Sequence, residues 1–214
     1  NFVLRKVDGR PFSVSELRGR KVAINSIGVA TEYVLALGLA TADLRIEDID
    51  LQQIPFPDMV AALTNGSIDA AVMAEPFITR VAQQDIAEPM QNIVPDKMQT
   101  TVTYINTRWA ASNTDVARRF TVAWLKAIRE LQGDAFSRDD VAEIVAKYTR
   151  LEPAVIKASA MPYFDPSGRP NVESIMEQQR FFLSRGSLRY TDLLDIRQYI
   201  DDSFVEYAAR QLGS

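Results

Sequence analysis

Residues 21–77 read KVAINSIGVATEYVLALGLATADLRIEDIDLQQIPFPDMVAALTNGSIDAAVMAEPF. Lys21 to Asn25 is a short apolar run with polar ends, the pattern of a buried strand. From about Thr31 to Ala40, Tyr33, Val34 and Leu37 recur at helical spacing among alanines. Ile49 to Ile54 reads as a second strand. Pro57 and Asp58 open a helix whose apolar face is Met59, Val60 and Leu63, and Asn65-Gly66 stops it. Ile68 to Met73 is a third strand. Glu75-Pro76 then turns into a helix from about Phe77 to Gln84, with Pro suited to a first helical position. Strand and helix alternating at this spacing predict a parallel sheet with crossover helices.

Working outward, Phe2 to Lys6 reads as a strand and Asp8-Gly9-Arg10-Pro11 as a turn. Ser13-Val14-Ser15-Glu16 fits a capping box for a one-turn helix that Leu17 closes and Gly19 ends. Val102 to Thr107 is read as a further strand. Beyond about residue 112 the chain is almost entirely helical in pattern. One helix runs from a Ser112 cap to Leu131, with Gly133 behind it. A second lies near 138–148, a third spans Asn171 to Ser184, and a last lies near 202–212. No fixed period recurs, which argues against a solenoid.

Composition narrows the chemistry. The chain has 214 residues, enough for one large domain or two small lobes. It has 24 Lys and Arg against 28 Asp and Glu, a net charge of -4, so no basic excess marks a nucleic-acid binder. There is no Cys and no His. That removes disulfides, a thiolate nucleophile, Ser-His-Asp and Cys-His triads, and the commonest general base and metal ligand. A binding protein without cofactor is favoured over an enzyme. No apolar run has the length of a membrane span, and no signal-peptide pattern stands at the front. The chain starts at Asn1 rather than Met and enters a strand at once, which leads us to expect that a longer protein precedes it.

Ligands of open parallel sheets sit at the carboxyl ends of the strands. Three such ends are legible: Asn25-Ser26-Ile27-Gly28, Pro55-Phe56-Pro57 and Ala74-Glu75-Pro76-Phe77. Ser26 and Thr31 offer hydroxyls, Gly28 admits close approach to the backbone, and the following helix presents amides suited to a small anion. The plainer reading is that Ser26 or Thr31 only caps that helix. Glu75 can accept hydrogen bonds from a ligand amine or amide, with Phe77 as an aromatic wall, or it can simply favour a helix start. The early basic residues Arg5, Lys6, Arg10, Arg18, Arg20 and Lys21 read as a solvated face, Asp69 as support for a turn, and Trp124 as core. Trp109 and Tyr104 are core by default, with ligand stacking as the other reading.

Four segments carry a resemblance: SVSELRGRKVAINSIG at 13–28, MVAALTNGSIDAAVMAEPF at 59–77, ARRFTVAWLKAIREL at 117–131 and IDDSFVEYAARQLG at 200–213. Together they resemble ABC-transporter substrate-binding proteins of the nitrate, sulfonate and taurine type, a group that includes binders of thiamine-pyrimidine precursors. The most specific piece is the run from Ala62 to Ala70 followed by Glu75-Pro76. The resemblance implies an α/β, two-lobed periplasmic-binding-protein type II fold: a parallel-rich sheet with crossover helices, plus a helical C-terminal half. Residues 8–100 would form the second lobe. Residues 1–7 and 101–214 would give the crossing strands and the helical return to a first lobe that is incomplete here. A small molecule (a sulfonate, nitrate, pyrimidine or carboxylate) would be captured between the lobes, with Ser26, Gly28, Thr31, Phe56, Glu75 and Pro76 among its contacts. An ABC permease would be the partner. The protein would be a monomer in the periplasm, or anchored outside the membrane, and would touch the membrane only through the permease.

Two alternatives share the architecture. The fungal thiamine-pyrimidine synthases resemble these binders, but their chemistry depends on a His and a Cys-rich motif that this sequence lacks. The effector-binding domain of a LysR-type regulator has similar size and fold. Its two balanced lobes of alternating strand and helix do not match the helical second half here.

Overall fold

A computed structural model describes residues 1–149 and 151–213. The chain divides into two compact units, one of residues 1–96 and 142–160, the other of residues 97–141 and 161–214.

The first unit is built on a mixed sheet. Its strands are β1 (Phe2–Val7), β2 (Arg10–Pro11), β3 (Lys21–Ile24), β4 (Asp50–Gln53), β5 (Ala70–Val72) and β6 (Ala87–Pro89). The helices are α1 (Ala30–Ala40), α2 (Phe56–Thr64) and α3 (Phe77–Gln83). The order is β2-β1-β5-β3-β4, with β6 also on β1. β3 runs parallel to β4, with Val22 opposite Leu51 and Ile24 opposite Gln53, and parallel to β5, with Ala23 opposite Ala71. β1 is antiparallel to β5, with Val3 opposite Ala71, and antiparallel to β6. The predicted parallel core is present, flanked by an antiparallel β1.

Strand alternation sorts the side chains onto two faces. Val3, Ala23 and Ala71 join Met59, Leu63, Ile78 and Val81 under α2 and α3. Phe2, Leu4, Val22 and Ile24 point the other way and are buried. That second face meets α1, which packs on β1, β3 and β5. Leu35 and Leu39 of α1 are fully buried there. Each such leucine contributes about 1.5–3 kcal/mol relative to exposure. Gly38 makes the closest approach: a Cβ there would collide with the Phe2 ring.

Of the early basic residues, Arg10, Arg18, Arg20 and Lys21 are exposed as the solvated face expected, and five of the six also stand in ion pairs. Arg5 bridges Asp69 at 3.0 Å and Arg20 reaches the same carboxylate at 3.7 Å. Both guanidiniums lie over the Phe12 ring, 5.4 and 4.4 Å from its centroid. Lys6 bridges Asp85, Arg10 bridges Glu16 and Arg18 bridges Asp48. Asp69 thus ties the starts of β3 and β5 to β1, the supporting role expected of it.

The second unit contains no strand among its described residues. Its helices are α4 (Thr107–Ser112), α5 (Thr114–Glu130), α8 (Val172–Ser184) and α9 (Ser203–Leu212). α6 (Asp139–Thr149) leads back to the first unit, where α7 (Pro153–Ala158) packs on α3. α5 packs on α9, where Arg118 lies 4.8 Å from the Tyr207 ring. Arg169 bridges Asp202 and Glu206 of the same region.

Two readings need correction. Val102 to Thr107 is not a strand: residues 101–106 join no sheet, and Thr107 begins α4. β-branched alternation favours a strand only where a neighbour supplies the ladder. The helix expected from a Ser112 cap to Leu131 is α5, whose N-cap falls one residue later, at Asn113. Trp124 is half-buried rather than core, and Phe120 one turn before it is exposed.

Candidate functional site

Parallel pairing of β5, β3 and β4 brings their carboxyl ends to one edge of the sheet, with the turn after β3 in the middle. The three turns singled out in the sequence therefore lie along one edge of the first unit.

The central turn is held by side chains from its own surroundings. Gly28 adopts a φ of 79°, the left-handed region that glycine enters without strain. Its N–H donates to Glu32 Oε2 at 2.7 Å. The Ile27 N–H donates to Gln53 Oε1 at 3.2 Å, from the last residue of β4. The Thr31 hydroxyl donates to Asn25 Oδ1 at 2.6 Å, and the Ser26 hydroxyl to the Ile27 carbonyl at 3.2 Å. Neither hydroxyl bonds a backbone amide as a helix cap would, and the N-cap residue of α1 is Val29. Ile27 and Val29 stay exposed, while Glu32 is only 1% exposed.

The flanking turns start α2 and α3. Phe56 opens α2 and Phe77 opens α3, and their rings meet at 6.3 Å between centroids, tilted by 33°. This contact joins two of the three turns. Glu75 Oε2 accepts from the Thr79 N–H at 3.1 Å and the Thr79 hydroxyl at 2.9 Å. Pro76 follows through a cis peptide bond and is the N-cap of α3 rather than its first residue. Ser26, Gly28 and Thr31 thus share one turn, while Phe56, Glu75 and Pro76 stand in the two beside it.

Sequence reasoning missed Glu32 and Gln53, the two side chains that fix the central turn. Glu32 carries a legible signal, since it stands three residues after the N-cap, where a carboxylate reaches back to amides before the helix. Gln53 has none, because its role depends on β4 pairing in register with β3.

The second unit carries a cavity of about 740 Å³. Val102, Tyr104, Phe120, Trp124, Ile175 and Phe204 are among the residues lining it. Tyr104 is 88% exposed and Phe120 52%. Tyr104 and Trp124, read from sequence as core, line this cavity instead. Among the described residues no group of acidic side chains is placed to hold a metal ion. Among the same residues no helix is long and apolar enough to cross a membrane.

A family model described as the NMT1-like family matches residues 8–146, well over half of the chain. The chain belongs to the NMT1-like family. Comparison with curated proteins finds no match. Among solved structures, this NMT1-like chain is similar to the periplasmic aliphatic sulphonate binding protein SsuA from Escherichia coli. The TM-score is 0.70 at 20% identity, covering 94% of this chain and 64% of that one. It is also similar to the periplasmic nitrate-binding protein NrtA from Synechocystis PCC 6803, with TM-score 0.75 at 14% identity, covering 99% and 64%. The desulfurization enzyme DSZB is similar with TM-score 0.61 at 15% identity, covering 99% and 76%. The chain spans less than two thirds of the length of the two binding proteins. These likenesses establish the fold of periplasmic binding proteins, and the regulator alternative finds no support among them.

Proposed function

We propose that this NMT1-like chain is the ligand-capturing part of an extracytoplasmic solute-binding protein. It takes up a small polar organic molecule and presents it to an ABC permease. The carrying observation is the Gly28 turn, set at the carboxyl edge of three parallel strands between two turns joined by the Phe56–Phe77 contact. A backbone that lies open at a glycine, with Ser26 and Thr31 beside it, binds and orients. One enzyme shares the fold, but a sequence without His or Cys lacks imidazole and thiol chemistry. We therefore assign binding and not catalysis. Monomeric state and periplasmic placement belong to the same proposal.

Titration calorimetry with methanesulfonate, nitrate and 2-aminopyrimidine tests the assignment. Gly28→Val puts a β-branched residue at positive φ and rebuilds the turn. Binding of the favoured compound should weaken about tenfold or more, equivalent to about 1.4 kcal/mol. Unchanged affinity in that variant would remove the turn from the site.

A further inference from the structure

In the second unit, sequence texture and fold disagree at one place. Residues 101–105 read Thr-Val-Thr-Tyr-Ile, β-branched at every position but Tyr104. Such side chains favour a strand. Yet among the described residues the backbone N–H and C=O groups of Val102, Thr103, Tyr104 and Ile105 make no hydrogen bond to the protein. Val102 and Tyr104 are exposed, and residues 101–105 all line the cavity of this unit. The helical wall of the cavity is apolar and also uncovered. On α5, Ala117, Leu125 and Ile128 belong to the buried face. Beside them Val116, Phe120, Ala123 and Ala127 recur at helical spacing and are exposed. Phe120 and Trp124 of this helix line the cavity together with Phe204 of α9. Among the described residues no Lys or Arg lines it, while Asp201 and Asp202 do.

An occupant of this surface has to meet two demands at once. The helical wall takes apolar side chains. The run 101–105 takes a row of backbone donors and acceptors at strand spacing, which a small molecule matches at a point or two and a polypeptide strand along its length. The fold also has room for more polypeptide: over a third of each of the two binding proteins has no counterpart in this chain. We propose that residues 101–105 are a docking edge for an extended polypeptide strand from outside residues 1–214, which pairs with this backbone and lays its apolar face on the α5 wall of the cavity. The site lies within the second unit and does not depend on the Gly28 reading. Residues 101–105 become a strand only when that neighbour supplies the ladder, which reconciles their sequence with a segment that joins no sheet.

The probe is an acetylated, amidated peptide of alternating valine and threonine with a lysine at each end, since the cavity carries carboxylates and no cation. Amide hydrogen exchange of the ¹⁵N-labelled chain is followed with and without it. Without peptide, residues 102–105 should exchange fast. With it, binding should saturate, and exchange should slow roughly tenfold or more at alternate residues of 102–105, because successive strand amides face opposite edges. The same peptide with every central amide methylated keeps its side chains but cannot form the ladder, and it should not bind. Phe120→Glu should weaken binding of the unmethylated peptide about tenfold. If that variant fails to fold, the two peptides on the wild-type chain decide alone. No binding of the unmethylated peptide overturns the proposal, as does binding that leaves exchange at 102–105 unchanged. Equal binding of the methylated peptide also overturns it, since that marks a pocket for small apolar molecules. Slow exchange at 102–105 without peptide, in a chain that sediments as a dimer, overturns it in favour of a second copy.

Discussion

Gly38 is the residue on which the packing of α1 turns. Glycine in the middle of a helix costs about 0.5–1 kcal/mol relative to alanine, so its presence there needs a reason. The reason is Phe2, a fully buried ring whose edge occupies the space a methyl group would need. Gly38→Ala should therefore lower unfolding stability by about 1–3 kcal/mol despite the gain in helix propensity, as overpacking of a filled core does. Urea denaturation measures this, and a neutral or stabilising effect would mean that α1 shifts freely over β1. Glu32 shows the same dependence of a single residue on its setting. Its position after the α1 N-cap is legible in sequence, but its burial and its bond to Gly28 follow from how the turn closes.

At the scale of elements, local chemistry was read best where the partners lie close in the chain. The one-turn helix at Val14–Leu17 is fixed by Glu16, which accepts from the Ser13 amide at 2.7 Å and from Arg10. The Arg10 guanidinium, and then the Ser13 amide and hydroxyl, hold the Glu16 carboxyl well below its ordinary range. A lowered folded value means that the turn's extra stability is fully present above the unfolded carboxyl value, near pH ~4.3. It is lost only as pH falls further, through the lowered folded value. The Ser13 amide resonance should thus stay constant from neutral pH to about 4 and move below it. A midpoint at the ordinary glutamate value would show that the ion pair and cap do not hold in solution. The strands β1, β3, β4 and β5 were legible because each is a short apolar or alternating run between turn residues. Residues 102–107 have the same texture and are no strand, since nothing in the run itself states whether a neighbour is there to pair with it. β6 and α7 were missed for the opposite reason. Ala87–Pro89 and Pro153–Ala158 are too short to show a period, and they take their structure from β1 and α3.

At the scale of the whole molecule, the two units differ in how they satisfy their apolar surface. The first unit sandwiches its sheet between α1 on one face and α2 with α3 on the other, and Phe2, Val3, Leu4, Val22, Ala23, Ile24, Ala70, Ala71 and Val72 are buried between them. The second unit has helices and no strand among its described residues, and its segment 101–106 joins no sheet. Its cavity is lined by Val102, Tyr104, Phe120 and Trp124, and three of these four are large apolar side chains left exposed. Apolar patches of this kind capture amphiphilic dyes, since burial of their surface is favourable whatever the occupant. Anilinonaphthalene sulfonate should therefore bind this folded chain with a rise in its emission and a parallel loss of Trp124 fluorescence by energy transfer. Phe120→Glu places a charge at the cavity wall and should weaken dye binding several-fold without changing the unfolding midpoint, because Phe120 is already half in water. Dye binding unaffected by Phe120→Glu would locate the exposed apolar surface elsewhere. A large loss of stability in that variant would mean instead that the cavity is closed in solution and Phe120 belongs to a core.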